Sequence, residues 1–369
     1  MGFKRENLTS GVRGRRWRVC VLAVVALFGV AVAPASAMAS VPAPPPTSHV
    51  TVLTRNLYLG ADLTPLVTAQ TPAELSAAVQ QILAAVVASN PPKRMGWVAD
   101  EIAAQHPDVV GLQEAALWHI QTPGGGTLTY DFVQLLLQAL AADGLHYRVA
   151  VEQTNFDSSV QLPGVPLGGS FADHDAILVN ADAPAYRARV LDTGAAHYAS
   201  QLAFPTLLGP INFDRGYVWA DVRTSGRVWR LVDTHFEAYP GFGTQLHDYT
   251  ADQAAELVAA LPQNRPTVVL GDLNSRPDNP LAQGYTVLRA NGFDDAWSAL
   301  HPSDPGFTCC RNDDLSGGAL SERVDYALYR GSVTPLAAAV VGVDPRADTA
   351  PRWPSDHAGV LATLAIGVR

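Results

Sequence analysis

Acids, amides and imidazoles stand at the ends of the apolar runs in this chain. VVLGDLNSRP closes on Asp272 and Asn274, DVVGLQE on Glu114, RLVDTHF near His235 and LTRNLYLG near Asn56. Asp325 sits in RVDYALYR, and Asp356 with His357 opens the last run in WPSDHAGVL. Such groups are costly to bury unless paired, hydrogen-bonded or metal-bound. If the runs are strands that point these ends one way, the groups line a single cleft.

The chemistry they suit is phosphate chemistry. Glu114, Asp356 and the side-chain oxygen of Asn56 are hard donors for Mg2+ or Mn2+, with water and a substrate phosphate completing the shell. His235 and His357 suit hydrogen bonds to phosphate oxygens or proton transfer. Asp325 suits the task of orienting His357 and stabilising its imidazolium. Asp272 is the natural base to orient or deprotonate water, and Asn274 a donor to a non-bridging phosphate oxygen. No GxSxG elbow presents a nucleophilic Ser or Cys, so metal-assisted water attack fits better than a covalent route. Singly, each group has a plain structural reading: Asn56 as a turn cap, Asp272 as a strand terminator, His235 as a core histidine, Asp356-His357 as a cap-like turn. Their joint occurrence carries the functional one.

The elements that must position them are short. Strands are expected at 49–57, 108–114, 146–152, 175–180, 186–192, 216–223, 228–236, 266–274, 323–330, 337–344 and 357–366. Helices are expected at 73–89, 94–105, 130–142, 245–261 and 280–291. Strands interleaved with helices without strict alternation predict an α+β fold, two packed sheets with helices outside. VVLGD and DVVGLQE are apolar on consecutive residues, as in strands covered on both faces; YVWADV alternates more and belongs nearer an edge. Residues 153–172, 195–213 and 302–322 read as long loops, the first turn-rich and mobile. No solenoid repeat or internal linker divides the chain, so one domain over 49–369 is expected.

TRNLY, GLQE, DTHFEA, VVLGDLNSRP, RVDYALYR and WPSDHAGV, in that order, resemble the endonuclease/exonuclease/phosphatase superfamily, which includes deoxyribonuclease I-like nucleases and neutral sphingomyelinases. The likeness spans about residues 50–366; GDxN with a downstream SDH is its most specific part. It implies a four-layer αββα sandwich of two mixed sheets and divalent-metal-dependent phosphoester hydrolysis. It places the metal, Mg2+ or Mn2+, at Glu114 with Asn56 and Asp356 helping, and makes His235, Asp272, Asn274, Asp325 and His357 the catalytic set. Asp175 falls where members carry various polar groups near the phosphate. Arg215 is a further phosphate candidate, with a surface ion pair the more natural reading.

Six Lys/Arg and one Glu lie in residues 1–39, where a basic stretch, the apolar run 19–32 and small residues up to Ala39 describe a cleaved export signal. A Pro-rich spacer follows over 40–48. Without residues 1–39 the formal charge moves from −9 to −14, which disfavours charge-driven, non-specific nucleic-acid binding. Beyond residue 39 the cysteines are Cys309 and Cys310 alone, equally readable as two thiols or one bridge. Arg55, Arg94, Arg276 and Arg311 are candidates to line a nuclease cleft. LAFPTLLGPINF (202–213) is a candidate hairpin for transient membrane-surface contact through Phe204, Leu207, Leu208, Ile211 and Phe213; packing on the body is the stronger reading. The expected partner is therefore a phosphoester substrate, nucleic acid or phospholipid headgroup, with no obligate protein partner. The third reading is a secreted interaction protein without chemistry, disfavoured because no central residue is missing.

Overall fold

Short runs of consecutive apolar residues demand cover on both faces, and the chain supplies it with two sheets and two helical layers. The computed structural model describes residues 49–161, 168–242 and 245–367; the expected export signal (1–39) and spacer (40–48) lie outside them. Strands β1 (His49–Asn56), β2 (Val109–Gln113), β3 (Leu117–Gln121), β4 (Thr127–Asp131), β5 (Tyr147–Asp157) and β6 (Gly169–Asn180) build the first sheet with the last two, β17 (Val333–Val341) and β18 (Gly359–Ile366). The order is β17-β18-β1-β2-β6-β3-β4, with β5 also paired to β6. The second sheet takes β7 (Arg189–His197), β10 (Gly216–Thr224), β11 (Arg227–His235), β14 (Thr267–Asp272), β15 (Asp294–Asp295) and β16 (Asp325–Arg330), in the order β15-β16-β14-β11-β10-β7. Two small hairpins, β8 (Ala203–Thr206) with β9 (Gly209–Asn212) and β12 (Gly241–Phe242) with β13 (Gln245–Leu246), stand apart. Each large sheet is mixed: β1 runs parallel to β2 and β11 parallel to β14, while their other partners are antiparallel.

The helices are α1 (Thr64–Thr68), α2 (Pro72–Ala88), α3 (Pro91–Gln105), α4 (Phe132–Ala142), α5 (Ser158–Gln161), α6 (Tyr249–Ala260), α7 (Gly284–Ala290) and α8 (Ala296–Leu300). Three apolar cores separate four layers. Between the sheets, Val50, Val52 and Val109 meet Val218, Leu231, Val268 and Leu270. Outside the first sheet, Leu53, Val110 and Leu112 pack with Val86 of α2, Met95, Val98 and Ile102 of α3 and Leu136 of α4. Outside the second, Val232, Val269 and Leu328 pack with Ala254 and Leu257 of α6 and Leu288 of α7. Adjacent residues such as Leu231 and Val232, or Val268 and Val269, thus enter different cores. This is the αββα sandwich expected.

The differences from expectation have local causes. α2 starts at Pro72 because Thr71 and Glu74 form a reciprocal capping box, and α3 at Pro91 because Asn90 accepts from the Lys93 N–H. The expected helix from 245 begins only at Tyr249, where the Asp248 carboxylate accepts from the Ala251 N–H. LWHIQ and TLTYD, not expected as strands, pair as β3 and β4 across a Gly-rich turn, so the helix expected from 130 starts after Asp131. Within the expected loop 153–172, β5 continues to Asp157, α5 follows and β6 begins at Gly169; residues 162–167 lie outside the described residues.

One glycine shows how close the sheet centre is. Gly271 in β14 has φ +146°, and a Cβ there would overlap the Thr234 carbonyl oxygen on β11. Gly271→Ala is expected to lower stability by about 3 kcal/mol or more, from strain plus overpacking. Thermal unfolding checks this; an unchanged midpoint would show that β11 and β14 can separate freely.

Candidate active site

The strand ends meet at one edge of both sheets. In the second sheet, His235 is in register with Asp272, and Asp272 with Asp325, so β11, β14 and β16 present the three side chains in one row. In the first sheet Asn56 ends β1, Glu114 follows β2, and Asp356-His357 precede β18, which runs antiparallel to β1. The eight residues singled out from the sequence all reach this edge.

Asp272 is the hub. Its Oδ2 accepts from Asn56 Nδ2 at 3.1 Å and lies 3.6 Å from His235 Nε2 and 3.8 Å from His357 Nε2. Its Oδ1 accepts from the Asn274 backbone N–H at 2.9 Å. Asp325 Oδ2 accepts from His357 Nδ1 at 2.9 Å, the orienting pair expected. The Asn274 amide donates to the Phe236 carbonyl at 2.9 Å. Asn56 spends its oxygen on the Tyr58 N–H at 2.8 Å, an Asx turn, so the turn role weighed for it is present beside its bridge to Asp272. Glu114 Oε2 accepts from the Leu59 N–H at 2.8 Å. Tyr58, Glu114 and Asn274 all hold positive φ, at 59°, 54° and 44°. Such non-glycine strain costs ~1–3 kcal/mol each and gathers where a side chain must be aimed.

Arg215 departs from expectation. It is buried, not a surface ion pair: Nη1 lies 2.8 Å from His235 Nδ1 and Nε lies 3.8 Å from Glu237 Oε2. A guanidinium only donates, so His235 Nδ1 accepts and its proton sits on Nε2, facing Asp272. Burial, with Arg215 and His357 nearby, drives the His235 pKa well below its ordinary value, so the ring is neutral. His357 goes the other way: burial opposes its charge, but Asp325, Asp356 and Asp272 outweigh it and raise the pKa well above 6.5.

The carboxylates are crowded. Burial and the charge of Asp325 push Asp272 up to about 7; burial and Asp356 raise Glu114. Asp173 and Asp175, on the same face of β6, are raised by burial to about 8 and about 7. Asp173 Oδ1 and Asp325 Oδ1 find no hydrogen-bond donor among the described residues. Buried acids in excess of cations, with oxygens unsatisfied, fit a hard divalent cation. Glu114 and Asp356 line the open side of the site, with the Asn56 amide beside Glu114. Asp173 was not singled out from sequence; the alternation FADHD, acids two apart in a strand, was its available signal.

The site opens into a cavity of about 830 Å3. Of the expected cleft arginines none lines it. Arg55 pairs with Glu101 at 3.0 Å and donates to the His357 carbonyl at 2.7 Å; Arg94 donates to the Leu57, Tyr58 and Pro354 carbonyls. Arg311 donates to the Gly342 and Val343 carbonyls, and Arg276 pairs with Glu322. In the 202–213 hairpin, Phe204 and Ile211 are buried and Phe213 stacks on Phe156 at 4.4 Å; of the five anchors named, only Leu207 and Leu208 at the tip are exposed. Most of the anchors named for a membrane therefore pack on the body. Cys309 and Cys310 are joined as a disulfide, with Cys310 Sγ 3.9 Å from His357 Nε2.

The model of the Endonuclease/Exonuclease/phosphatase family matches residues 87–357. No curated protein matches. Among solved structures, an endonuclease/exonuclease/phosphatase from Beutenbergia cavernae is similar at TM-score 0.54 and 21% identity, over 87% of this chain and 72% of that one. A family protein from Bacteroides thetaiotaomicron gives 0.54 and 17%, over 87% and 99%. D. rerio TDP2 complexed with single strand DNA product gives 0.50 and 19%, over 86% and 99%. At these identities the likeness is one of fold.

The raised acids make a pH prediction. A carboxyl whose folded pKa is raised contributes stability fully present below its unfolded value, near 3.8, and lost as pH rises through about 7 for Asp272 and Asp175 and about 8 for Asp173. His357, raised above 6.5, loses its contribution in the same direction. The depressed His235 opposes this only below about 6.5. The chelator-treated protein should therefore show a thermal midpoint that falls from pH 6.5 to 8.5, with Mg2+ or Mn2+ restoring it most at the alkaline end. A flat metal-free profile would mean the acids are not crowded as described.

Proposed function

This chain belongs to the endonuclease/exonuclease/phosphatase family of phosphoester hydrolases, and from that premise we propose that it is an exported, divalent-metal-dependent phosphodiesterase. The observation that carries the reading is the in-register row His235–Asp272–Asp325 with His357 held across it by Asp325. A Mg2+ or Mn2+ ion held by Glu114 and Asp356, with Asn56 beside them, would supply charge neutralisation at the phosphate.

The side chains do the rest. Asp272 orients the attacking water and takes its proton, helped by a pKa near neutrality. The water oxygen bonds to phosphorus while the P–O bond to one alcohol breaks. His235, neutral with its proton on Nε2, donates to a non-bridging oxygen; protonated His357 does the same from the opposite side, held in place by Asp325. The second hydrogen of the Asn274 amide adds a third donor. The DNA product bound by the D. rerio neighbour supports a nucleic-acid substrate; the scarcity of cations in the cavity supports a phospholipid one. For export, the basic and apolar segment ahead of Ala39 supports a cleaved leader.

With bis(4-nitrophenyl) phosphate and Mg2+, His357→Ala and Asp272→Asn are expected to lower kcat by about 10²–10⁴ while the protein stays folded. Turnover near the parent level in either would reject the assigned roles. Glu114→Gln is expected to shift the Mg2+ titration to higher concentration; an unmoved titration would put the ion elsewhere.

A further inference from the structure

The cavity that reaches the site has walls the hydrolytic chemistry does not use. Trp118 stacks on Phe171 with centroids 4.3 Å apart, Phe171 lies 5.6 Å from Phe156, and Phe156 stacks on Phe213 at 4.4 Å, so an aromatic row lines the cavity. Leu66 and Val67 of α1 add aliphatic lining, and the exposed tip of the 202–213 hairpin carries that lining to the surface. At about 830 Å3 it lies within the ~300–1,000 Å3 that encloses one small ligand. The aromatic rings pack against one another, with Trp118, Phe171 and Phe156 buried, rather than standing free as platforms for successive bases.

Charge narrows the occupant further. Asp62, Asp173, Asp313 and the site acids line the cavity, whereas Arg215 is the sole Lys or Arg among the described residues that line it and is already engaged with His235 and Glu237. A nucleic-acid strand brings a phosphate at every nucleotide and needs a positive groove to follow it. One phosphodiester at the site, continued by hydrocarbon, matches what the walls offer. Resting on the phosphodiesterase reading of the site, we propose that the substrate is a single-chain phosphodiester lipid whose hydrocarbon chain lies in this cavity.

Two measurements test this separately. The first is binding of dansyl-undecanoate below its micelle concentration, read by fluorescence, to the parent and to Val67→Trp. That substitution lies on a helix with no buried residue and adds bulk to the cavity. Saturable binding that weakens at least about tenfold in the variant is expected; no binding, or equal binding in both, overturns the proposal. The second is hydrolysis of methyl, hexyl and dodecyl 4-nitrophenyl phosphates with Mg2+. Water adds at phosphorus, the P–O bond to the nitrophenol breaks, and nitrophenolate and the alkyl monophosphate leave. kcat/KM should rise with chain length, by up to about fourfold per methylene buried, and the rise, taken relative to each protein's own methyl ester rate, should flatten in Val67→Trp. Equal rates for all three esters, or preference for a single-stranded DNA oligomer over the dodecyl ester, overturns the lipid. Failure to cleave even the methyl ester instead overturns the hydrolase reading, which the binding result does not depend on.

Discussion

Everything at the site follows from burying one carboxylate, Asp272, in register between a histidine and a second carboxylate. A buried charge is tolerated only when its oxygens are hydrogen-bonded or the group takes up a proton. Asn56 and the Asn274 backbone satisfy Asp272, and two imidazoles stand within 4 Å of it. The neighbouring Asp325 is stabilised in turn by the ring of His357. The positive φ values at Tyr58, Glu114 and Asn274 belong to the same constraint. They bend the chain just past β1, β2 and β14 so that amides and carboxylates turn inward instead of continuing the ladder.

Three buried arginines hold that arrangement from behind. Arg55, Arg94 and Arg311 donate mainly to carbonyls of the loops that carry Tyr58, Pro354 and His357, and of the loop after β17. Each guanidinium satisfies carbonyl oxygens that the loops expose by leaving regular structure. Removing one would leave those oxygens buried and unpaired, so they act as struts for the site although none faces the cavity.

Much of this was legible in the sequence for physical reasons. Strands covered on both faces must be apolar on consecutive residues, so VVLGD and DVVGLQ announced themselves, and a polar residue ending such a strand is conspicuous. That logic found Asp272, Glu114 and His235. It named Arg215 only as a phosphate candidate or surface ion pair and could not show its contact with His235 twenty residues away, nor distinguish the struts Arg55, Arg94 and Arg311 from cleft-lining cations. It also missed β3 and β4, because LWHIQ and TLTYD are short, half-buried strands of mixed polarity, the second at the sheet edge. The cavity was invisible for a related reason: its walls come from α1, β3, β5, β6 and the 202–213 hairpin, and only the fold brings them together.

The two histidines show how neighbours, not residue type, assign chemistry. Both are buried, and burial alone would make both neutral. His235 stands next to Arg215, which denies it a proton and fixes the remaining one on Nε2. His357 faces Asp325, Asp356 and Asp272, which keep it charged. Opposite protonation states thus give the same outcome at the substrate side: each ring turns an Nε2–H toward Asp272 and the space in front of it. A phosphate there meets donors from two sides, while the neutral His235 ring adds no further positive charge to a place where a divalent cation must also be accommodated. Were Arg215 absent, His235 could take either tautomer or a proton, and the direction of its donor would no longer be fixed.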